Sequence, residues 1–559
     1  MSADIAIQPP GDGDCSEEDS ADEDDFDINR LSGNQLLAEA DVRINYGDRI
    51  SDTMDDDSQS ESLGDALQTN SIQDDSIHRG RLSDEKPPLL TDLRWTNRDI
   101  KSRNSQSTPE VNHLEEIGTP LSLLELFFDD MLISGIVDFT LYARREKSDT
   151  EFGITKEKFR LFLAMLLMSG YHRLPDRRLY WSLSPDLFVA AMSDTMPRNE
   201  FERTLRNLHL CDNSNLDKSD KFSKLRPLIT NLNEKFLKYS SNCETKSVDE
   251  SMIPYYGSHG SKQRINNKPI RVGYKVWVLA EAYGYVIQFE PYQGAKTGRH
   301  ISTTTTWGLG EHVVLNLMER LPPGQSYHVY MDNYFTSFRL LSYLGTRGIS
   351  ATGVINKKKL SKCDIMGNKD LEKKERGHVE QVTAEQDSTT ITVVGWNDNR
   401  AVYIASNCLS SKPTRNVQRW SKIERKYIQV LQPNQFHCYN QCMGYVDRMD
   451  QNVAKYRIGI RMKKWWWAPF AWMLDVALQN SWILYRINKS CDSAQLSLLD
   501  FRREVVSSIL LKYKTSRKRS YSSAAICNVP SEVRFDDVKH YQAPAQKQGR
   551  CKVCKTNSR

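Results

Sequence analysis

Aspartates stand at three places in the chain where a strand or a helix could aim them at one point. Asp249 lies within Ser247-Val-Asp-Glu-Ser-Met-Ile-Pro254, and Asp332 opens Asp332-Asn-Tyr-Phe-Thr-Ser337 at the end of an apolar stretch. Asp447 and Asp450 share Tyr445-Val-Asp-Arg-Met-Asp-Gln451, three residues apart, a spacing that puts both on one face of a helix. The chemistry such a set could serve is in-line cleavage of a phosphodiester. That reaction needs an activated water or hydroxyl and a stabilised leaving oxygen, and two Mg²⁺ ions about 3.5–4 Å apart can supply both. Mg²⁺ takes hard oxygen ligands, keeps several waters and draws only a few carboxylates from protein. One aspartate would bridge both ions and two others would each hold one. Clustered aspartates repel one another when no cation is present. Taken singly, an aspartate at a strand end is more often a turn former or cap than a ligand. Asp450 could also pair with Arg448, Arg457 or a neighbouring lysine, so spacing alone leaves both readings open.

The elements that must position these residues follow from periodicity. Thr119-Pro120 opens a helix, with Thr as N-cap and Pro at the first helical position. Leu123, Leu124, Leu126, Phe127 and Phe128 form its buried face. A second helix begins at Thr155 and runs to Gly170, and a third covers about Arg198–Leu210. Near 246 the period changes. Strands are expected over Ser247–Tyr256, Val272–Ala280 and Tyr285–Glu290, the last two joined through Glu281-Ala-Tyr-Gly284. A helix over Glu311–Leu321, a strand over Tyr327–Asp332 and a strand over Ala351–Ile355 complete an alternating α/β region. Residues 357–433 are charged and irregular, with β-like pieces at Thr390–Val394 and Ala401–Ala405, and read as an insertion. Helix returns over about 440–456 and 468–487.

Composition narrows the class. The chain has 559 residues, enough for several domains, and a net charge of +4. Between Asp12 and Asp27 stand ten carboxylates and no Lys or Arg, so the remainder is more basic than the total suggests. A basic body with an acidic leader points to a nucleic-acid partner, although a solvated surface with a disordered leader accounts for the balance equally well. The longest clean apolar run, Leu161–Met168, is far shorter than the roughly 20 residues that span a bilayer. With no basic-then-apolar start and eleven cysteines in no repeated spacing, the chain reads as a soluble intracellular protein without a signal peptide.

Many ordered segments resemble the piggyBac transposase family, especially the transposase-derived proteins of animal genomes. They are Thr119-Pro-Leu-Ser-Leu-Leu-Glu-Leu-Phe-Phe128, Asp220-Lys-Phe-Ser-Lys-Leu-Arg-Pro-Leu-Ile229, Ser247-Val-Asp-Glu250, Asn267-Lys-Pro-Ile-Arg-Val-Gly-Tyr-Lys275, Asp332-Asn-Tyr-Phe-Thr-Ser337, Lys373-Lys-Glu-Arg-Gly377, Tyr439-Asn440 with Val446-Asp-Arg-Met-Asp-Gln451, and Lys464-Trp-Trp-Trp467. The resemblance implies an RNase H-like α/β catalytic core with an insertion domain, flanked by a helical dimerisation and DNA-binding domain and preceded by a disordered acidic N-terminus. The expected division is a disordered leader over 1–110, the first part of the helical domain over 111–245, and the first part of the core over 246–356. The insertion over 357–433, the catalytic helix over 434–456 and the second helical part over 457–513 follow. A basic linker over 514–548 and a cysteine-rich remnant over 549–559 end the chain.

The resemblance also implies an activity: metal-dependent cleavage and strand transfer of double-stranded DNA, by cut and paste at TTAA, by a nuclear homodimer. Asp249, Asp332 and Asp447 fall on the family's catalytic aspartates and Asp450 on the nearby fourth, with Mg²⁺ or Mn²⁺ as the metal. Arg457, Arg461, Lys463 and Lys464 follow directly and are expected at DNA phosphates. Lys512–Arg519 resembles a nuclear localisation patch. Two departures stand out. Tyr445 follows Gly444 where the family often has a second glycine. Family members usually carry a Cys/His-rich zinc domain at the C-terminus, whereas Cys551 and Cys554 supply only two of the four ligands that zinc takes, so Zn²⁺ is not expected and recognition of transposon ends is expected to be weakened. The alternative is a domesticated, non-catalytic, sequence-specific DNA-binding protein.

Overall fold

A computed structural model of the chain describes residues 2–7, 40–45, 85, 93–103, 118–146, 152–241, 243–266, 268–294, 307–360, 363–386, 388–422, 424–488 and 495–514. The acidic run Asp12–Asp27, the linker beyond Lys514, and Cys551 and Cys554 lie outside them. The chain forms two compact units, Met1–Gly80 with Arg264–Val272, and Arg81–Gln263 with Gly273–Arg559. In the first, Ser2–Ile7 and Ala40–Asn45 pair as antiparallel strands, within a stretch whose composition reads as disordered.

In the second unit the helices that precede the sheet include α1 (Pro120–Glu125), α2 (Asp130–Glu146), α3 (Lys156–Met168), α4 (Arg198–Asn207) and α5 (Arg226–Lys238), with one further short turn of helix at Ala190–Ser193. Their starts follow the capping chemistry. The Thr119 hydroxyl accepts the Ser122 N–H at 3.2 Å, and the Thr155 hydroxyl accepts the Lys158 N–H at 3.3 Å. α3 is buried on every side from Phe159 to Met168, which makes it a central helix rather than a surface one.

The sheet begins with β1 (Thr245–Pro254), β2 (Val272–Glu281) and β3 (Tyr285–Pro291), then α6 (Leu309–Met318), β4 (His328–Met331), α7 (Phe338–Thr346) and β5 (Ser350–Val354). Its first five strands lie in the order β3–β2–β1–β4–β5. β2 is antiparallel to β1 and to β3, and β4 is parallel to β1 and to β5. This mixed sheet is consistent with the RNase H-like core that the resemblance implies. β1 is buried along nearly its whole length, as a central strand covered on both faces must be. The expected connection between β2 and β3 is present, with Tyr283 at φ 64° and Gly284 at φ 90°.

Part of the segment read as an insertion continues the same sheet. β6 (Val379–Gln386), β7 (Thr389–Asn397) and β8 (Ala401–Ser406) add to β5 in the order β5–β8–β7–β6, all antiparallel. A separate two-stranded ribbon follows, β9 (Arg415–Ser421) with β10 (Lys426–Gln432). Lys262–Arg264 lies beside β2 and brings the main sheet to nine strands.

Four helices complete the unit: α8 (Asn434–Cys442), α9 (Tyr445–Lys455), α10 (Trp467–Asn488) and α11 (Leu498–Tyr513). The single helix expected over 440–456 is thus two, broken at Met443-Gly444. α11 packs along α1 and α3, and α10 packs against α1, so helices from before and after the sheet close into one body. An ion pair fastens that closure. Arg502 donates to Asp475 at 2.8 Å and to the Leu167 carbonyl at 2.8 Å, and both charged side chains are inaccessible to water. Burial pushes the Asp475 carboxyl up and Arg502 opposes it.

The disordered leader expected over 1–110 needs one correction. Residues 93–103 are packed on the body. Thr96 and Thr383 exchange backbone hydrogen bonds at 2.8 Å, covering the outer strand β6, and the Trp95 ring meets Phe338 at 5.3 Å. Two threonines and a tryptophan in a polar stretch find a sheet edge that would otherwise leave its backbone groups unpaired. Among the described residues no helix is long and apolar enough to cross a membrane.

Candidate active site

The parallel pairing of β1 with β4 brings the first two aspartates together. The register runs from Thr245↔His328 to Val248↔Met331, and one residue further sets Asp249 beside Asp332. Asp332 is fixed by the turn that follows it. Its carboxylate accepts the Tyr334 N–H at 2.9 Å, and its carbonyl accepts the Thr336 hydroxyl at 2.7 Å. The Ser337 hydroxyl caps α7 by accepting the Leu340 N–H at 3.1 Å and donates to Glu311, which also pairs with Arg339. Tyr334 and Thr336 thus hold Asp332 in place, while Ser337 fixes the start of the helix that follows.

Gly353 on β5 makes room for this turn. A Cβ there would stand 2.0 Å from the Thr336 hydroxyl and 2.8 Å from the Met331 carbonyl.

Oxygens of Asp249, Glu250 and Asp332 lie within 4.8 Å of one another. Two ligands on one Mg²⁺ sit at most about 4.2 Å apart, twice the metal–oxygen distance. Neighbouring ligands on an octahedral Mg²⁺ sit about 3 Å apart, so the three-oxygen set could hold a hard divalent cation by drawing together around it. Glu250 is the member that the strand pattern hides, because alternation sends it to the opposite face from Asp249. The Asp249 carboxylate accepts the Glu250 N–H at 2.8 Å. Glu250 also stands 3.8 Å from the Lys275 ammonium, which lies over the Trp277 ring at 3.9 Å and the Tyr334 ring at 5.0 Å.

Asp447 and Asp450 are outside this close set, and α9 sets where they stand. α9 runs beside β1, with the Tyr445 hydroxyl 3.1 Å from that of Thr245 near its start and the Ser251 hydroxyl donating to Asp450 at 2.6 Å further on. Asp447, one turn before Asp450, projects from the exposed side of this stretch. The Tyr439 hydroxyl on α8 registers the grouping. Burial pushes it up, and the charges of Asp332, Asp249 and Asp447 push it further. One phenol thus feels all three aspartates.

The comparisons with known proteins agree with this architecture. A family model described as Transposase IS4 matches residues 119–482. PiggyBac transposable element-derived protein 3 of Homo sapiens is 36% identical over 567 residues, covering 99% of this chain and 92% of that protein. The chain belongs to the piggyBac family of transposase-derived proteins. PiggyBac transposable element-derived protein 2 of Homo sapiens is 35% identical over 469 residues, covering 82% of this chain and 77% of that protein. A cryo-EM structure of a piggyBac transposase synaptic complex with hairpin DNA matches with a TM-score of 0.61 at 20% identity, over 81% of this chain and 97% of that one, and speaks for the fold.

Against the piggyBac pattern, Tyr445 in place of a second glycine is accommodated by the contact with Thr245 and by partial burial in the core. The four basic residues after α9 separate into different environments. Arg461 and Lys463 are exposed. The Lys464 ammonium donates to the Arg206 carbonyl at 2.6 Å. Arg457 turns inward. Its Nε is buried without a hydrogen-bond partner, and burial pulls its guanidinium down against the opposing pull of Asp475 and Asp450. Of the three tryptophans, Trp466 and Trp467 are buried, as their apolar neighbours imply, while Trp465 stacks on His259 at 4.4 Å.

Proposed function

We propose that this piggyBac-family protein cleaves and transfers double-stranded DNA, with Asp249, Asp332 and Asp447 holding a pair of Mg²⁺ or Mn²⁺ ions and Asp450 supporting them. The observation that carries the reading is the placement of Asp249, midway along β1, beside Asp332, just past the end of the parallel strand β4, with Asp447 on the helix α9 that runs along β1. Metal bound there would polarise the scissile phosphate and make a water nucleophilic. This chain's own residues hold the carboxylates in place: the Tyr334 N–H and the Thr336 hydroxyl steady Asp332, and Ser251 steadies Asp450. Cut-and-paste transfer at TTAA, action as a homodimer and a nuclear location belong to the same proposal and rest on family membership. The basic contacts expected at Arg461 and Lys463 rest on their exposure, whereas Arg457 would have to leave its buried position and Lys464 the Arg206 carbonyl.

The test is nicking and end release by purified protein, with Mg²⁺, on a plasmid carrying the gene's own flanking DNA. Cleavage lost in Asp332→Asn and in EDTA supports the proposal. DNA binding without metal-dependent cleavage in any of these conditions assigns the chain to the non-catalytic, DNA-binding alternative.

A further inference from the structure

The ribbon β9–β10 has two faces of opposite character. Directly paired residues of an antiparallel ribbon point to the same side. The inner side carries Val417, Val430 and Ile428, and Val430 and Ile428 pack with Val394, Trp396 and Phe436. Trp396 donates to the Leu431 carbonyl at 2.7 Å, and Arg419 reaches Asp398 at 2.9 Å. The outer side pairs Asn416 with Leu431, Gln418 with Gln429, and Trp420 with Tyr427, and all six are exposed. Trp420 is 50% and Tyr427 68% accessible, and their rings meet at 5.2 Å. Nothing in the fold accounts for two large aromatic rings and a ladder of amides facing water.

Charge identifies what would cover them. Residues 415–432 hold five cations, Arg415, Arg419, Lys422, Arg425 and Lys426, against one acid, Glu424. Arg419 is occupied by Asp398, Lys426 pairs with Glu424 at 2.8 Å, and Arg415 lies 2.7 Å from His437. That leaves Lys422 and Arg425 exposed at the tip. Arg425 adopts φ 51°, a left-handed conformation that disfavours an arginine where Gly or Asn would sit without strain. A cation is thus held at the tip in a turn better suited to a smaller residue. Paired amides read base edges, aromatic side chains contact bases, and a two-stranded ribbon fits a major groove about 12 Å wide.

We propose that the outer face of β9–β10 docks into the major groove of a DNA duplex, with Gln418, Gln429 and Asn416 toward base edges and Lys422 and Arg425 on the flanking phosphates. The proposal rests on the reading of the chain as a DNA-acting protein and adds a surface that carries none of the aspartates.

The test is anisotropy of a labelled duplex about three helical turns long, with the full chain in EDTA, between about 50 and 200 mM salt. Lys422→Ala with Arg425→Asn is expected to weaken binding about tenfold and to reduce the salt slope by about 2, at roughly 0.9 per lost phosphate contact. Arg425→Asn alone should melt no lower than the parent, which separates lost binding from lost folding. Gln418→Ala with Gln429→Ala should keep the slope but flatten differences in affinity among duplexes of different sequence. Parent binding with all variants unchanged overturns the ribbon proposal alone. No duplex binding by the parent overturns it together with the reading on which it rests. Loss of a dimer in the ribbon variants, with DNA affinity unchanged, overturns it in favour of a protein contact.

Discussion

Replacing Asp332 by Asn should stabilise the protein without metal and remove its response to metal. The side chains are almost the same size, and the Asn carbonyl oxygen can still accept the Tyr334 N–H that Asp332 accepts at 2.9 Å. What changes is one negative charge in a set whose oxygens lie within 4.8 Å of one another. At that separation one pair of like charges costs about 3.5 kcal/mol at an effective dielectric of about 20, and about 0.9 kcal/mol in water. The half-buried site lies between these limits, and Lys275, 3.8 Å from Glu250, cancels part of the repulsion. Asp332→Asn should therefore raise metal-free stability by about 1–3 kcal/mol, seen as a rise of a few degrees in Tm in EDTA. The parent should gain about 2.7 kcal/mol at a Mg²⁺ concentration about 100 times its Kd, and the variant little or nothing. Thermal melts of both proteins in EDTA and across a Mg²⁺ series measure each quantity. A variant that melts below the parent in EDTA, or that keeps the parent's full gain, refutes the argument that these carboxylates repel one another and share a cation.

Four further expectations follow from the same structure. Gly353→Ala drives a methyl group into the Thr336 hydroxyl and should cost about 1–3 kcal/mol while blunting the Mg²⁺ gain in Tm, because that hydroxyl steadies Asp332. Arg502→Ala leaves Asp475 buried and uncompensated and should cost about 3–5 kcal/mol in urea unfolding, whereas adding Asp475→Asn should recover part of it, since Asn can still accept the Ile458 N–H. His328 is pulled from 6.5 to about 3 by burial, so the unfolded chain binds the extra proton: its share of stability is whole above pH 6.5, falls by about 2 kcal/mol by pH 5 at about 1.4 kcal/mol per unit, and this fall should be absent in His328→Gln. Phe436→Ala should weaken both duplex binding and the Mg²⁺ gain, whereas Trp420→Ala with Tyr427→Ala should weaken duplex binding alone.

Local chemistry made the helix starts and the central strands legible. Thr119 and Thr155 are N-caps because their hydroxyls accept the expected N–H groups, and the apolar runs that follow them are buried. The strand ending at Asp332 was readable because Val329, Tyr330 and Met331 need two covered faces. What periodicity could not supply was pairing. That Asp249 lies beside Asp332 depends on a parallel register between strands far apart in sequence, which no local pattern encodes. Glu250 was hidden for the converse reason, since alternation places it on the other face, yet its carboxylate comes within 4.8 Å of those of Asp249 and Asp332. Arg457 reads as a surface cation until burial and α10, which sets Asp475 in its field, give it an inward place. The ordering of residues 93–103 could not be read from a polar stretch, because the β6 edge that they cover is assembled almost three hundred residues later.

The ribbon and the aspartates are joined by one short helix. α8 carries Phe436, whose ring meets Trp396 at 5.1 Å beneath β10, and Tyr439, whose hydroxyl feels Asp332, Asp249 and Asp447. At a spacing of three these two side chains share a face of the helix. A shift of the ribbon against Trp396 would move Phe436, and α8 would carry Tyr439 with it as a rigid element. The break at Met443-Gly444 separates α8 from α9, so such a movement need not drag Asp447 and Asp450 along. Asp450 is instead tied to β1 through Ser251. Phe436 is the contact through which the ribbon and the surroundings of the carboxylates meet, and Phe436→Ala removes it without touching a charged residue.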